Sequence, residues 1–167
     1  MKKQRWLVLL IFSFLCLSGC KEEVIVPEGY YQYEKTKVEE AIEHISFTPD
    51  VPQYVPIPVE FIISDPFTIA GTDYEALDIS FYSRENDLLT FQVTEGQFDI
   101  SDDAEDVEID SSIAAYYIDN GFAKILTWTK NGLSYKLEFR SSVIGDHQSS
   151  RQVSKEELIK VVQSTHS

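Results

Sequence analysis

Apolar and polar positions follow three patterns along this chain of 167 residues. The first is a continuous run. From Trp6 to Leu17 twelve residues are apolar except for Ser13. The second has helical spacing. Val38, Ala41, Ile42 and Ile45 fall at i, i+3, i+4 and i+7, which predicts an amphipathic helix over residues 37–45. Thr36 and Glu39 are spaced as a capping box at its start. A second helix is expected after Ser154, whose box partner is Glu157, with Val153 and Leu158 placed as a hydrophobic staple. Its apolar residues are Leu158, Ile159, Val161 and Val162, and it should end near Ser164.

The third pattern alternates with period two. Val59, Phe61 and Ile63 alternate with Glu60 and Ile62. Leu77, Ile79 and Phe81 alternate with Asp78 and Ser80, and Leu89, Phe91 and Val93 with Thr90 and Gln92. Each set predicts a strand with one buried face. Residues 83–87 should turn the second strand into the third, and residues 66–73 should form a loop.

The strongest pairing signal lies in residues 113–139. Asn120-Gly121 and Asn131-Gly132 each stand between alternating segments, and Asn-Gly supplies the positive φ angles of a type I′ hairpin turn. Two-residue loops would set Asp119 opposite Phe122, Tyr117 opposite Lys124, Lys130 opposite Leu133 and Trp128 opposite Tyr135. That register sorts the faces. Ile113, Ala115, Tyr117, Phe122, Leu126, Trp128, Leu133, Tyr135, Leu137 and Phe139 share the core face, with Lys124 the exception. The opposite face turns polar toward the last strand but keeps Tyr116, Ile118 and Ile125. This trio is the one local feature with functional potential. Either a helix or loop covers it, or it is an exposed apolar surface for a partner or a lipid-like ligand.

Other stretches interrupt the patterns. Pro49, Pro52, Pro56 and Pro58 exclude helix over residues 48–58, so an extended crossover is expected, with Val51, Tyr54 and Val55 turned to the body. A proline-rich ligand for a recognition module is the sharper reading. Seven acidic residues crowd residues 99–110. They miss the calcium-loop register, leaving a solvated loop or a weak divalent-ion site. His44 reads as a helix-end or surface residue, and His147 and His166 stand isolated in loops.

Charge narrows the function classes. The first 19 residues hold three of the 14 basic residues and none of the 28 acidic ones. Residues 20–167 therefore carry 11 against 28, a formal charge of −17. Nucleic-acid binding relies on Lys and Arg neutralising phosphates, so it is disfavoured, as is electrostatic docking on anionic lipid. A hydrolase is the least favoured class. No G-x-S-x-G or paired-histidine motif is present, and abundant carboxylates are not a placed pair.

The apolar run then acquires a meaning. Lys2, Lys3 and Arg5 precede it, and Leu17, Ser18, Gly19 and Cys20 close it. This is the charged, apolar, small order of an export signal. The run is too short for a membrane-spanning helix, which needs about 20 apolar residues. No A-x-A-like cleavage site is present, although a plain signal peptide with an incidental cysteine is the competing reading. The tetrad resembles the lipobox of bacterial lipoproteins. The resemblance implies cleavage before Cys20 and a diacylglyceryl group on its sulfur. Two acyl chains, at about 0.8 kcal/mol per buried CH₂, hold effectively permanently. Cys16 would leave with the signal, so the mature chain would have neither a disulfide nor a free thiol. Residues 1–19 are thus read as signal, 20–35 as a lipidated tether, and 36–167 as one domain. Tyr30, Tyr31 and Tyr33 make the tether aromatic. They either pack on the domain edge or contact cell wall or a partner.

A further resemblance covers roughly residues 35–167. It rests on Val38-Glu39-Glu40-Ala41-Ile42, on Val51-Pro52-Gln53-Tyr54-Val55-Pro56, and on Ile125-Leu126-Thr127-Trp128 followed by Asn131-Gly132-Leu133-Ser134-Tyr135. Ser154-Lys155-Glu156-Glu157-Leu158-Ile159-Lys160 completes it. This order is similar to a domain-of-unknown-function family found in lipoproteins and single-span membrane proteins of Gram-positive, often spore-forming, bacteria. The resemblance implies an α+β domain distantly like lipoprotein-carrier and sigma-factor-regulator sensor folds, and it carries no catalytic residues.

The expected architecture is an antiparallel meander of five or six strands flanked by two short helices. The expected function is that of a non-enzymatic interaction or structural module, lipid-anchored on the extracytoplasmic face of the cell membrane. It would need no cofactor or metal, and would have an envelope protein as partner. The alternative is a carrier or sensor of a lipid-like amphiphile that uses Tyr116, Ile118 and Ile125.

Overall fold

The structure, a computed structural model, describes residues 24–111, 113–142 and 151–166. Leu17, Ser18, Gly19, Cys20 and His147 lie outside them, as does the expected signal segment. The chain is α+β, with seven antiparallel strands among the described residues rather than five or six. They are β1 (Val59–Thr68), β2 (Glu75–Ser83), β3 (Leu88–Thr94), β4 (Glu105–Asp110), β5 (Ile113–Asp119), β6 (Lys124–Lys130) and β7 (Leu133–Arg140). Helix α1 (Thr36–Ile42) precedes them, and helix α2 (Lys155–Gln163) follows, ending in a 3₁₀ turn over Ser164–His166.

The strands lie in the order β1-β2-β3-β7-β6-β5-β4. Two local meanders, β1 to β3 and β4 to β7, thus join where β3 pairs with β7. Both helices pack on one face, α1 against β1 and β2, α2 against β4 and β6. Leu77, Ile79 and Phe81 of β2 point into this layer, as do Leu89 and Phe91 of β3, Leu126 of β6 and Leu137 of β7, all fully buried. Val38 of α1 and Leu158, Val161 and Val162 of α2 close it. Trp128 stacks on Tyr135 with ring centres 5.2 Å apart.

Local chemistry explains where the elements depart from the sequence pattern. Thr36 does not cap α1. Lys35 occupies the N-cap with φ −87° and ψ −16°, and no side chain caps the helix. An N-cap needs extended backbone, so the helical Lys35 moves Thr36 inside the first turn. The Lys35 ammonium instead donates to Gln53 Oε1 at 2.5 Å. In α2 the expected box is complete. Ser154 Oγ accepts from the Glu157 N–H, and the Glu157 carboxylate accepts from the Ser154 N–H.

The second hairpin has the expected two-residue loop. Lys130 faces Leu133, and Asn131 and Gly132 take φ of 53° and 81°. The first does not. Asp119 faces Lys124 and Tyr117 faces Leu126, two residues on from the expected register. Asn120 Oδ1 accepts from the N–H of both Phe122 and Ala123, and Asp119 Oδ1 from that of Gly121. These side-chain bonds build a four-residue loop in place of the type I′ turn. A two-residue slip preserves the faces, so only Phe122 is misassigned to the core; it is 87% exposed in the loop. The odd Lys124 is accounted for, because its ammonium donates to the Val153 carbonyl at 2.7 Å and stands 4.0 Å from Asp119.

Strand β1 reverses the expected faces. Ile62 is the buried residue, while Phe61 and Ile63 are each 51% exposed. An irregularity in pairing between Val59 and Phe61 shifts the parity. The strand also runs through Pro66 to Thr68, where a loop was expected. A proline is tolerated there because β1 is an edge strand. The acidic stretch is not all loop either. Its second half is β4, the other edge, held by the inward Ile109.

Candidate functional site

Among the described residues the outward face of the sheet carries no helix. Residues 95–104 leave β3 at the centre and must reach β4 at the edge. They form a strap over this face. The Lys136 ammonium lies 5.0 Å from the centre of the Phe98 ring. The Gly96 N–H donates to Thr94 Oγ1, which in turn donates to the Glu75 carbonyl. A shallow cleft of about 250 Å³ runs between Phe98 and Ile100 on the strap and Tyr116 and Thr127 beneath. Small-molecule sites commonly span about 300–1,000 Å³, so this cleft is small for a ligand of drug size.

The structure brings the expected trio together. Ile118 pairs directly with Ile125, and Tyr116 lies two residues along β5. Both isoleucines are half-buried, and Tyr116 is 38% exposed. Of the trio, Tyr116 lines the cleft with the strap residues Phe98 and Ile100. Behind Tyr116, the inward Tyr117 phenol is pushed up to about 12 by burial, with the carboxylates of Asp119, Glu156 and Glu105 adding to the effect. Lys155 crosses from α2 to bond Glu105 at 2.9 Å, and this bond raises the lysine above its ordinary value.

A second apolar margin, missed in the sequence, lies on β1 and β2. Phe61, Ile63 and Phe67 point outward from β1, each more than 40% exposed. Phe61 stacks on Tyr82 at 4.5 Å. The signal was present but ambiguous. Phe61, Ile62 and Ile63 are all apolar, so alternation alone cannot choose a face, whereas Pro66 marks an edge. Between the two margins the face is polar and self-satisfied. Gln92 and Ser80 both donate to the Asp78 carboxylate, at 2.6 and 3.0 Å.

The segment before α1 lies close to this second margin. Tyr30 packs edge-on against Tyr54 at 5.1 Å and donates to the Glu157 carbonyl. Tyr33 packs against Phe81 at 4.8 Å and donates to the Pro52 carbonyl. Tyr31 forms an isolated bridge with Val55 and is 42% exposed. Val55 and Ile57 are fully buried, so the expected extended crossover packs on the body. Arg151 ties these parts together through the carbonyls of Gly29 and Pro56 and the Glu157 carboxylate. A groove of about 340 Å³ separates Gln32, Tyr33 and Glu34 from the start of β1.

Among the described residues no cluster of His, Cys, Asp and Glu is arranged to hold a metal ion. None of their helices is long and apolar enough to cross a membrane. His44 is exposed at the end of α1. Compared with protein-family models, with curated proteins and with solved structures, the chain matches none.

Proposed function

We propose that this chain is a lipid-anchored module of the extracytoplasmic membrane face that works by binding a protein of the envelope. The observation that carries the reading is the outward face of the sheet. Among the described residues it is bare of helices, and it carries exposed apolar side chains on the edge strand β1, Phe61 and Ile63, and on β5, Tyr116. Such exposure on a small domain marks interaction surfaces. The anchor rests on Leu17, Ser18, Gly19 and Cys20. Nine residues separate Cys20 from the docked Tyr30, a span of at most about 35 Å. A partner would therefore be met close to the bilayer.

Two experiments test the reading. Labelled palmitate should enter the wild-type chain and not the Cys20→Ala form, which should leave the membrane fraction after export. An exported Cys20→Ala form that stays membrane-bound would overturn the anchor. Cross-linking on whole cells should capture one reproducible envelope protein. A stoichiometric lipid carried by the purified chain, with no protein captured, would instead establish the amphiphile carrier.

A further inference from the structure

Strand β1 is an unusual edge. At ten residues it is the longest strand described, and among the described residues it pairs on one side alone, with β2. An edge of this kind presents a row of backbone donors and acceptors to any extended chain. Pro66 removes one donor, and the pairing irregularity lies before Phe61. The regular part is therefore residues 61–65. Phe61 and Ile63 stand half-exposed along it on the outward face. The groove at its start has Tyr33, Val59 and Ile62 in its walls and Glu34, Glu60 and Lys37 at its rim. Asp65 follows on the same strand. Arg84 reaches Glu60 at 3.4 Å, but both side chains are largely exposed, and such a pair yields readily to a competitor. Three carboxylates thus face two cations locally, on a domain whose formal charge is −17 over residues 20–167.

We infer that the open edge of β1 receives an extended cationic segment of a partner protein as an eighth strand. Its backbone continues the ladder along residues 61–65. Its outward apolar side chains pack on Phe61 and Ile63. A Lys or Arg lays its aliphatic stem on Tyr33 and Val59 and carries its charge to Glu34 and Glu60. Charge selects this occupant. A second copy paired about Ile63 would bring Glu60 and Asp65 of both chains to one seam, on two domains that repel. An anionic bilayer would be repelled in the same way. A cationic chain is attracted, and its encounter rate rises as salt falls. The inference rests on the binding-module reading above and specifies its edge and partner chemistry.

The test uses the full lipidated chain in detergent and a labelled synthetic peptide of about eight residues that alternates Lys with Val, the length of an ordinary strand. The peptide should bind with micromolar affinity and weaken as salt rises. The same peptide with Glu for Lys should not bind. N-methylation along one edge should abolish binding, because strand addition needs the backbone. Ile63→Lys and Glu34→Lys should each weaken binding about tenfold or more, and Phe122→Ala, in the exposed loop between β5 and β6, should leave it unchanged. Equal binding by the Glu peptide or by the N-methylated peptide overturns the inference. So does dimerisation abolished by Ile63→Lys, or binding to phosphatidylcholine vesicles with the same sensitivity. If whole-cell cross-links run only from the Tyr116 margin and the peptide is silent, the module stands and the β1 edge falls. If the peptide binds at β1 and no cellular protein is ever captured, the edge chemistry stands and the module falls.

Discussion

Asn131 and Gly132 turn β6 into β7 with both residues at positive φ. Glycine adopts this conformation freely, and a Cβ there is strained. Gly132→Ala should lower stability by about 1 kcal/mol, read as a shift in the denaturant midpoint. An unchanged midpoint would show that the turn relaxes at no cost. The tyrosines make a second prediction at this scale. Burial pushes Tyr30 and Tyr117 up to about 12 from the ordinary 10.0, and Tyr33 higher still. The fold therefore favours their neutral phenols. Their contribution is complete below pH 10 and lost as pH rises through about 12. Denaturation midpoints between pH 9 and 12, with phenolate absorbance followed in parallel, should fall together. A flat midpoint across that window would contradict the packing of these side chains.

The two helices start with the same sequence motif and differ in the result. Ser154→Ala removes a complete box and should cost about 1 kcal/mol. Thr36→Ala removes no cap bond and should stay within about 0.5 kcal/mol of the parent. Parallel urea titrations compare the two, and equal losses would mean that Thr36 caps α1 after all. This contrast shows what is legible in a sequence. The Ser154 box is local, and the local pattern sufficed. The start of α1 is set by the incoming chain, through Lys35 on Gln53 and Tyr33 on Phe81, contacts between residues far apart in sequence. The hairpins divide in the same way. Asn131-Gly132 follows backbone preference, whereas at Asn120-Gly121 the side chains of Asp119 and Asn120 capture the loop amides and move the register by two. Alternation still placed Tyr116, Ile118 and Ile125 on the outward face, because that shift preserves parity. It misplaced Phe61 and Ile63, because a one-residue irregularity does not.

At the scale of the molecule, one apolar layer holds a sheet whose described helices both pack on the same side. Leu158 is fully buried where α2 closes that layer, and Leu158→Ala should cost about 2–5 kcal/mol. Thermal unfolding should report the loss in one cooperative transition, with Trp128 fluorescence and backbone circular dichroism changing together. Separate transitions would mean that α2 detaches alone. The strap on the other side follows from topology. Placing β3 next to β7 sends the β3–β4 connection across the outward face as a strap. Phe61 and Ile63 on β1 and Tyr116 on β5 are what that arrangement leaves exposed.

The pairing of β3 with β7 has a kinetic consequence. Every other neighbouring pair is joined by a short turn and can zip locally. Phe91 and Leu137, opposite one another across that seam, are 46 residues apart in the chain. Closing so long a loop carries an entropy penalty before its contacts form. The two meanders should therefore assemble early and wait for each other. The rate at which this domain becomes native is then set at the middle of the sheet, far from the exposed Phe61 and Ile63 of β1.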